Sequence, residues 1–201
     1  MKRRLKNKIL QFVWEGNVMI KICFTGHRKL FGYDIYTEGN QWVCQQTYDI
    51  ILGIIEREGC DQEYVFYHGG ALGYDNFSFE VVQKLKLVYP KLKIKQVMAI
   101  PFKKQYIKWN ESDVLDYFAQ MDLADEVVYV DKQLGYKIPN QEEDIYYSSK
   151  MLMRSLYMVN HSDIVIGCYD GSKGGTHNCL KMARDKGKEI IIINPKDYID
   201  K

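Results

Sequence analysis

The chain has 201 residues, 46% hydrophobic and 27% charged, with five cysteines and a formal net charge of +2. This is the balance of an ordinary soluble globular protein, long enough for one domain to bury its own core without metal or disulfide support. No window approaches about 18 consecutive apolar residues, so no transmembrane helix is expected and the cytoplasm is the expected location. Cys23, Cys44, Cys60, Cys168 and Cys179 are odd in number and form no CxxC or tight Cys/His cluster. They read as reduced buried thiols, with no metal site.

The charge is uneven. Residues 1–18 carry Lys2, Arg3, Arg4, Lys6 and Lys8 against Glu15, a local +4 that leaves −2 for the rest of a chain totalling +2. The body is therefore not a general polyanion binder by composition. The basic head has too short an apolar run for a signal peptide and lacks a small-residue cleavage site. Trp14-Glu15-Gly16 can be encoded by a bacterial ribosome-binding sequence just upstream of a Met19 codon. Natural translation is expected to start at Met19, leaving 19–201 as the domain.

From there strand and helix signals alternate. Residues 20–25 predict a strand, 40–58 a helix ended by Gly59, and 64–67 a second strand. A Gly-rich turn and a helix stopping before Pro90 follow, then a strand at 94–100 closed by Pro101. Residues 112–121 predict a short helix capped by Ser112, 126–130 a strand, 131–140 a loop and 142–160 a long helix. A strand at 164–168, a second Gly-rich turn, a helix at 176–186 and a strand at 190–193 complete the order. Apolar strands separated by helices predict a single doubly wound, mostly parallel α/β sheet, Rossmann-like, with helices on both faces. Ligands of such sheets bind beyond the carboxyl ends of the strands, where the strand order reverses.

Three strand ends fall there. In Thr25-Gly26-His27-Arg28, Gly26 permits a tight turn, Arg28 can bind a phosphate or carboxylate with two hydrogen bonds, and His27 offers a ribose or phosphate contact. In Tyr67–Asp75, Gly69, Gly70 and Gly73 form a backbone cradle that is neither GxGxxG nor a P-loop. Asp75 either stabilises the helix start or accepts bonds from a ribose or base. In Tyr169–Asn178, Gly171, Ser172, Lys173, Gly174, Gly175 and Thr176 combine free amides, a helix N-terminus, hydroxyls and an ammonium, the best phosphate candidate in the chain. Trp109 reads as a core residue or a base stacker. Arg154 sits in a helix, with a structural ion pair as its default role. No nucleophile or carboxylate partner for His27 is identifiable in sequence, so it reads as a binding or loop-ordering residue.

Taken in order, these segments resemble the SLOG superfamily, the Rossmann-like fold shared by DprA proteins and LOG cytokinin-activating enzymes, and within it the YpsA/YoqJ-like branch of bacteria and phages. The resemblance rests on Thr25–Arg28, Gly69–Asp75, Pro101-Phe102 with Gln105 and Trp109, Arg154 with Tyr157–Val159, Ser162-Asp163 and Gly174–Thr176, and runs from about residue 19 to 194. It implies a nucleotide-related ligand at the strand carboxyl ends. LOG-type enzymes hydrolyse the N-glycosidic bond of nucleotides with a Gly-Gly-x-Gly-Thr-x-x-Glu motif; here Cys179 stands where that glutamate belongs, and a thiol cannot replace a carboxylate at an oxocarbenium-like centre. The leading expectation is binding of a nucleotide or nucleotide-derived ligand at the carboxyl ends of the strands, in a sensing or regulatory role, without a cofactor. The alternatives are N-glycosidic cleavage or transfer with Asp75 as the catalytic candidate, and DprA-like single-stranded DNA binding, which the −2 body opposes. Homodimerisation is implied by the resemblance alone.

Overall fold

A computed structural model describes residues 18–198. The basic head, Val18 aside, lies outside the described residues, and the expected start at Met19 falls at the first residue of the first strand. Six strands, β1 (Met19–Gly26), β2 (Glu63–His68), β3 (Lys93–Ile100), β4 (Glu126–Tyr129), β5 (Ile164–Cys168) and β6 (Glu189–Ile193), form one sheet in the order β4-β3-β2-β1-β5-β6. Every pairing is parallel. Five helices connect them: α1 (Glu38–Glu58), α2 (Tyr74–Val88), α3 (Glu111–Leu123), α4 (Ser148–Asn160) and α5 (Gly175–Asp185). Among the described residues no helix is long and apolar enough to cross a membrane.

Side-chain alternation along β1 divides the core. Ile22 and Phe24 face one side, with Phe66 of β2, Val43, Ile51, Ile54 and Ile55 of α1, and Tyr74, Val82 and Leu85 of α2. Cys23 faces the other, with Val65, Tyr67, Val97 and Val165, under Met158 and Val159 of α4 and Cys179, Leu180 and Ala183 of α5. Phe79, Met98, Ile100 and Tyr117 seat α3 beside α2. The interior strands are apolar on both faces because helices cover both, as a parallel sheet requires.

The chain builds outward from β1 through β2 and β3 to β4, then returns along α4 to place β5 on β1's free side, Thr25 beside Gly167 and Gly26 beside Cys168. The order reverses between the carboxyl ends of β1 and β5. Neighbouring loops there leave in opposite directions and open a crevice.

Three local expectations are corrected. The cap of α3 is Asn110, whose side chain accepts from the Asp113 amide at 2.9 Å; Ser112 lies inside the first turn. β4 ends at Tyr129 and passes into a 3₁₀ turn, Val130–Lys132. The helix expected over 142–160 begins only at Ser148. Its missing start is a strap, because the Lys150 ammonium is buried with Asp131 (3.1 Å, each side chain 5% exposed) and also takes the Glu142 carbonyl at 2.7 Å. That bond pulls the preceding chain off the helix axis. The five cysteines form no disulfide; Cys23, Cys168 and Cys179 are buried as expected, whereas Cys60 is exposed.

Candidate functional site

A cleft of about 480 Å³ opens at the β1–β5 reversal, within the size range of small-molecule sites. Thr25, Gly26, His27 and Arg28 enter it from the end of β1. Ala71, Leu72 and Asp75 come from the turn into α2, Tyr146 and Ser148 from the strap and the start of α4. Met151, Leu152, Arg154, Ser155 and Met158 follow along α4, and Gly175, Thr176, Asn178 and Cys179 come from α5.

The two Gly-rich turns do different work. In the first, the glycines clear space for protein. A Cβ on Gly69 would strike the Arg154 guanidinium and lie 2.6 Å from Asp75 Oδ2, and one on Gly73 (φ +81°) would strike the Arg28 backbone. Gly70 (φ +61°) packs on Ile100, and its carbonyl accepts from Gln105 Nε2 at 2.8 Å. The Arg28 segment is thereby pressed against the start of α2, where the His27 carbonyl accepts from the Tyr74 amide at 3.2 Å. In the second turn a Cβ on Gly171, Gly174 or Gly175 would meet open space, so a ligand can approach that backbone.

The helix ends divide the same way. α1 and α3 are capped by side chains, Thr37 and Asn110. α2, α4 and α5, which all begin around the cleft, have no side-chain cap. The first amides of a helix lack intrahelical acceptors and carry the positive end of its dipole. α5 presents such an end at Gly175 and Thr176 in the cleft wall. Arg28 is exposed and makes no ion pair or hydrogen bond among the described residues. The two sources of positive potential share one cavity.

On its floor, Arg154 Nη1 meets Asp75 Oδ2 at 2.7 Å, with side chains 12% and 8% exposed. The Ala71 amide donates to the same oxygen at 3.4 Å, while Arg154 Nε is buried without a hydrogen bond. Beside them, burial raises the pKa of the Cys179 thiol despite hydrogen bonds from the direction of Thr25 and Ser155. It is a neutral, inert group at neutral pH.

His27 has a carboxylate partner that sequence did not disclose. Its Nε2 lies 2.8 Å from Asp170 Oδ1. The Asp170 amide is 3.3 Å from the same nitrogen; one nitrogen cannot donate to the carboxylate and accept from the amide, and the shorter contact identifies Nε2–H as the donor. Ser172, through its hydroxyl and its amide (2.9 Å), holds the Asp170 carboxyl well below the usual carboxylate range, helped by the charges of His27 and Lys196. Ser172 thus braces Asp170 and lines a separate recess of about 400 Å³ with His27, Lys29 and Lys196. Gly171, Lys173 and Gly174, expected at the site, are exposed and line neither the cleft nor this recess. Trp109 lies outside the cleft, packed edge-on against Tyr117 at 5.4 Å. Of the two aromatic residues lining the cleft, Phe24 is buried in the core and Tyr146 is exposed; the signal of Tyr146 in sequence was hidden by the helical reading of 142–160.

A six-stranded parallel sheet with its crevice at the β1–β5 reversal defines a Rossmann-like α/β protein. Residues 22–197 match the YpsA family model, described as the YspA SLOG family, and the chain belongs to that family. It is 36% identical over 150 residues to the uncharacterised SPbeta prophage-derived protein YoqJ of Bacillus subtilis (strain 168), covering 73% of this chain and 86% of YoqJ. It is 29% identical over 152 residues to the UPF0398 protein BH1768 of Halalkalibacterium halodurans, covering 73% and 72%. Among solved structures, DprA of Streptococcus pneumoniae superposes with TM-score 0.55 at 14% identity, over 88% of this chain and 50% of that one. DprA of Helicobacter pylori, described for its single-stranded DNA binding mode, superposes with TM-score 0.52 at 18% identity, over 86% and 64%. The chain thus spans between half and two thirds of those DprA chains, and the likeness concerns the fold.

Proposed function

We propose that the cleft binds a nucleotide or nucleotide-derived ligand, as a sensing or regulatory protein would. The observation that carries this reading is the juxtaposition of the uncapped α5 start, approachable at Gly175, with the unpaired Arg28 in one cavity. Such amides and a guanidinium are complementary to phosphate oxygens. Asp75, fixed by Arg154, supplies an acceptor for ribose hydroxyls or a base amino group.

The test is to denature the purified protein, identify released small molecules by mass spectrometry, and screen nucleotides by thermal shift. A ligand at about 100 times its Kd should stabilise by about 2.7 kcal/mol. Arg28→Ala should weaken a phosphate-bearing ligand roughly 10- to 150-fold, the range for one charge-assisted contact of about 1.5–3 kcal/mol. Gly175→Glu should abolish retention. If no nucleotide raises Tm and Gly175→Glu changes nothing, the reading is wrong.

N-glycosidic cleavage is the weaker reading. Asp75 is engaged by Arg154 and Ala71, and Cys179 brings a neutral thiol rather than a carboxylate. Free base released from a nucleotide panel, and lost in Asp75→Asn, would reverse that order. Single-stranded DNA binding draws support from the DprA-like fold, but a body of net −2 opposes it by composition. Salt-sensitive DNA binding by residues 19–201 would favour it.

A further inference from the structure

We infer that Tyr146 is the base-stacking residue of the cleft, so that its ligand is a nucleoside phosphate, purine ahead of pyrimidine, rather than a sugar phosphate or a free anion; this rests on the binding reading above. Tyr146 is 58% exposed and lines the cavity. Its ring meets Phe102 edge-on at 6.3 Å and has no stacked aromatic partner among the described residues. Its hydroxyl makes no hydrogen bond there. Neither packing nor polarity accounts for the side chain, and an exposed tyrosine at a cleft wall offers a large π-surface that loses little conformational entropy on binding.

The backbone that carries it is nonetheless firmly held. Lys150, buried, ties down the Glu142 carbonyl and salt-bridges Asp131. Gln141 Nε2 donates to Ser149 Oγ at 2.7 Å. Asn140 and Asp144, both at φ 60°, are the described non-glycine residues with positive φ, and both lie in or beside this strap. A strap fixed at both ends that leaves one aromatic ring without a stacked partner is preorganised for a planar one. Met151 and Leu152, on the adjoining turns of α4, add an apolar, polarisable wall. The cleft thus joins an apolar, aromatic wall to a phosphate-complementary one formed by Arg28 and the α5 amides. A phosphorylated ligand with a flat apolar body satisfies both, and purines present more surface for stacking than pyrimidines.

The test is calorimetric titration of adenosine, guanosine and uridine monophosphates, ribose 5-phosphate and inorganic phosphate into the full chain and into Tyr146→Ala and Tyr146→Phe. The expected result is purine monophosphates binding at least 10-fold tighter than ribose 5-phosphate. Tyr146→Ala should lose roughly 5- to 150-fold for the purines, the range of one base–aromatic stack, and leave ribose 5-phosphate unchanged. Tyr146→Phe should keep the wild-type affinities. An unchanged Tm in both variants excludes misfolding. If ribose 5-phosphate binds as tightly as the purines, or Tyr146→Ala weakens every ligand equally, the stacking role is overturned while the binding reading stands. If none of the five compounds binds the wild-type chain, the stacking inference falls, and the binding reading is decided by the wider nucleotide screen and Gly175→Glu.

Discussion

Arg154→Ala is expected to lower the stability of the protein by about 3–5 kcal/mol, measured by urea denaturation at neutral pH. The size follows from what remains, not from what is removed. Asp75 is 8% exposed, its charge is met by the guanidinium at 2.7 Å, and the lone amide of Ala71 at 3.4 Å is a poor substitute. Deleting one partner of a buried ion pair leaves an uncompensated charge, which costs far more than a surface pair is worth. The same reasoning predicts a partial rescue. Asp75→Asn in the Arg154→Ala background removes the orphaned charge and should recover at least about 1 kcal/mol. A loss below about 1 kcal/mol in Arg154→Ala, or no recovery in the double variant, would mean that the pair is solvated and that Gly69 is not reserving space for it.

The second large effect is on acid stability. His68, at the end of β2, is fully buried between Phe24 (rings 5.0 Å apart, stacked) and Phe79 (5.1 Å, edge-on), and its Nδ1 pairs with Ser78 Oγ at 3.2 Å. Its Nε2 and Gln96 Oε1 are both buried without a well-formed hydrogen bond, so Gln96 offsets little of the burial. Desolvation pushes the imidazole down from its ordinary 6.5 to about 3. Above pH 6.5 the folded and unfolded chains are both neutral at this position, and the group has no effect on stability. Between 6.5 and 3 the unfolded chain takes up a proton that the folded one refuses, so stability falls as pH falls. The slope approaches about 1.4 kcal/mol per pH unit, for a total on the order of 5 kcal/mol. Urea midpoints between pH 7 and pH 4.5 should drop steeply in the wild type and much less in His68→Leu. Parallel pH profiles would assign the acid sensitivity elsewhere. The carboxylate Asp125, held low mainly by Lys86 and the Gln96 amide against its burial, loses its contribution only below the ordinary carboxylate range, outside this window.

Both effects sit on residues whose importance the sequence could not rank. The strands and most helices were legible because apolar periodicity and Gly/Pro punctuation survive in a single sequence. The alternation of elements implied a reversal somewhere in the sheet; that it falls between β1 and β5, bringing Arg28 and Thr176 into one cavity, is seen only in the fold. Pairings made across the sheet were not legible. His27 and Asp170 stand 143 residues apart and meet only because β1 pairs with β5. Glycines were visible but their purposes were not. Gly69 and Gly175 look alike in sequence, yet one yields to a guanidinium and the other to open space. The strap at 142–147 was misread because its acidic, polar composition suits a first helical turn. Only the burial of Lys150 against Asp131 reveals that a carbonyl must leave the helix to satisfy an ammonium. Trp109, the most conspicuous aromatic for base recognition in sequence, is occupied with Tyr117, while the less conspicuous Tyr146 stands at the cleft.

The contrast between capped and uncapped helices has a consequence for how occupancy of the protein can be observed. The Asn40 and Asp113 amides give their protons to Thr37 and Asn110, and solvent deuterium reaches them only when those turns open. The leading amides of α5 have no such acceptor from a capping side chain, so in the empty protein their protons are expected to exchange with water faster than the capped ones. Whatever fills the cleft would take over as their acceptor and slow that exchange at Thr176 and His177 while leaving the capped helices untouched. A handful of backbone protons thus serves as an intrinsic, label-free gauge of whether the protein is loaded, readable before the ligand has been identified.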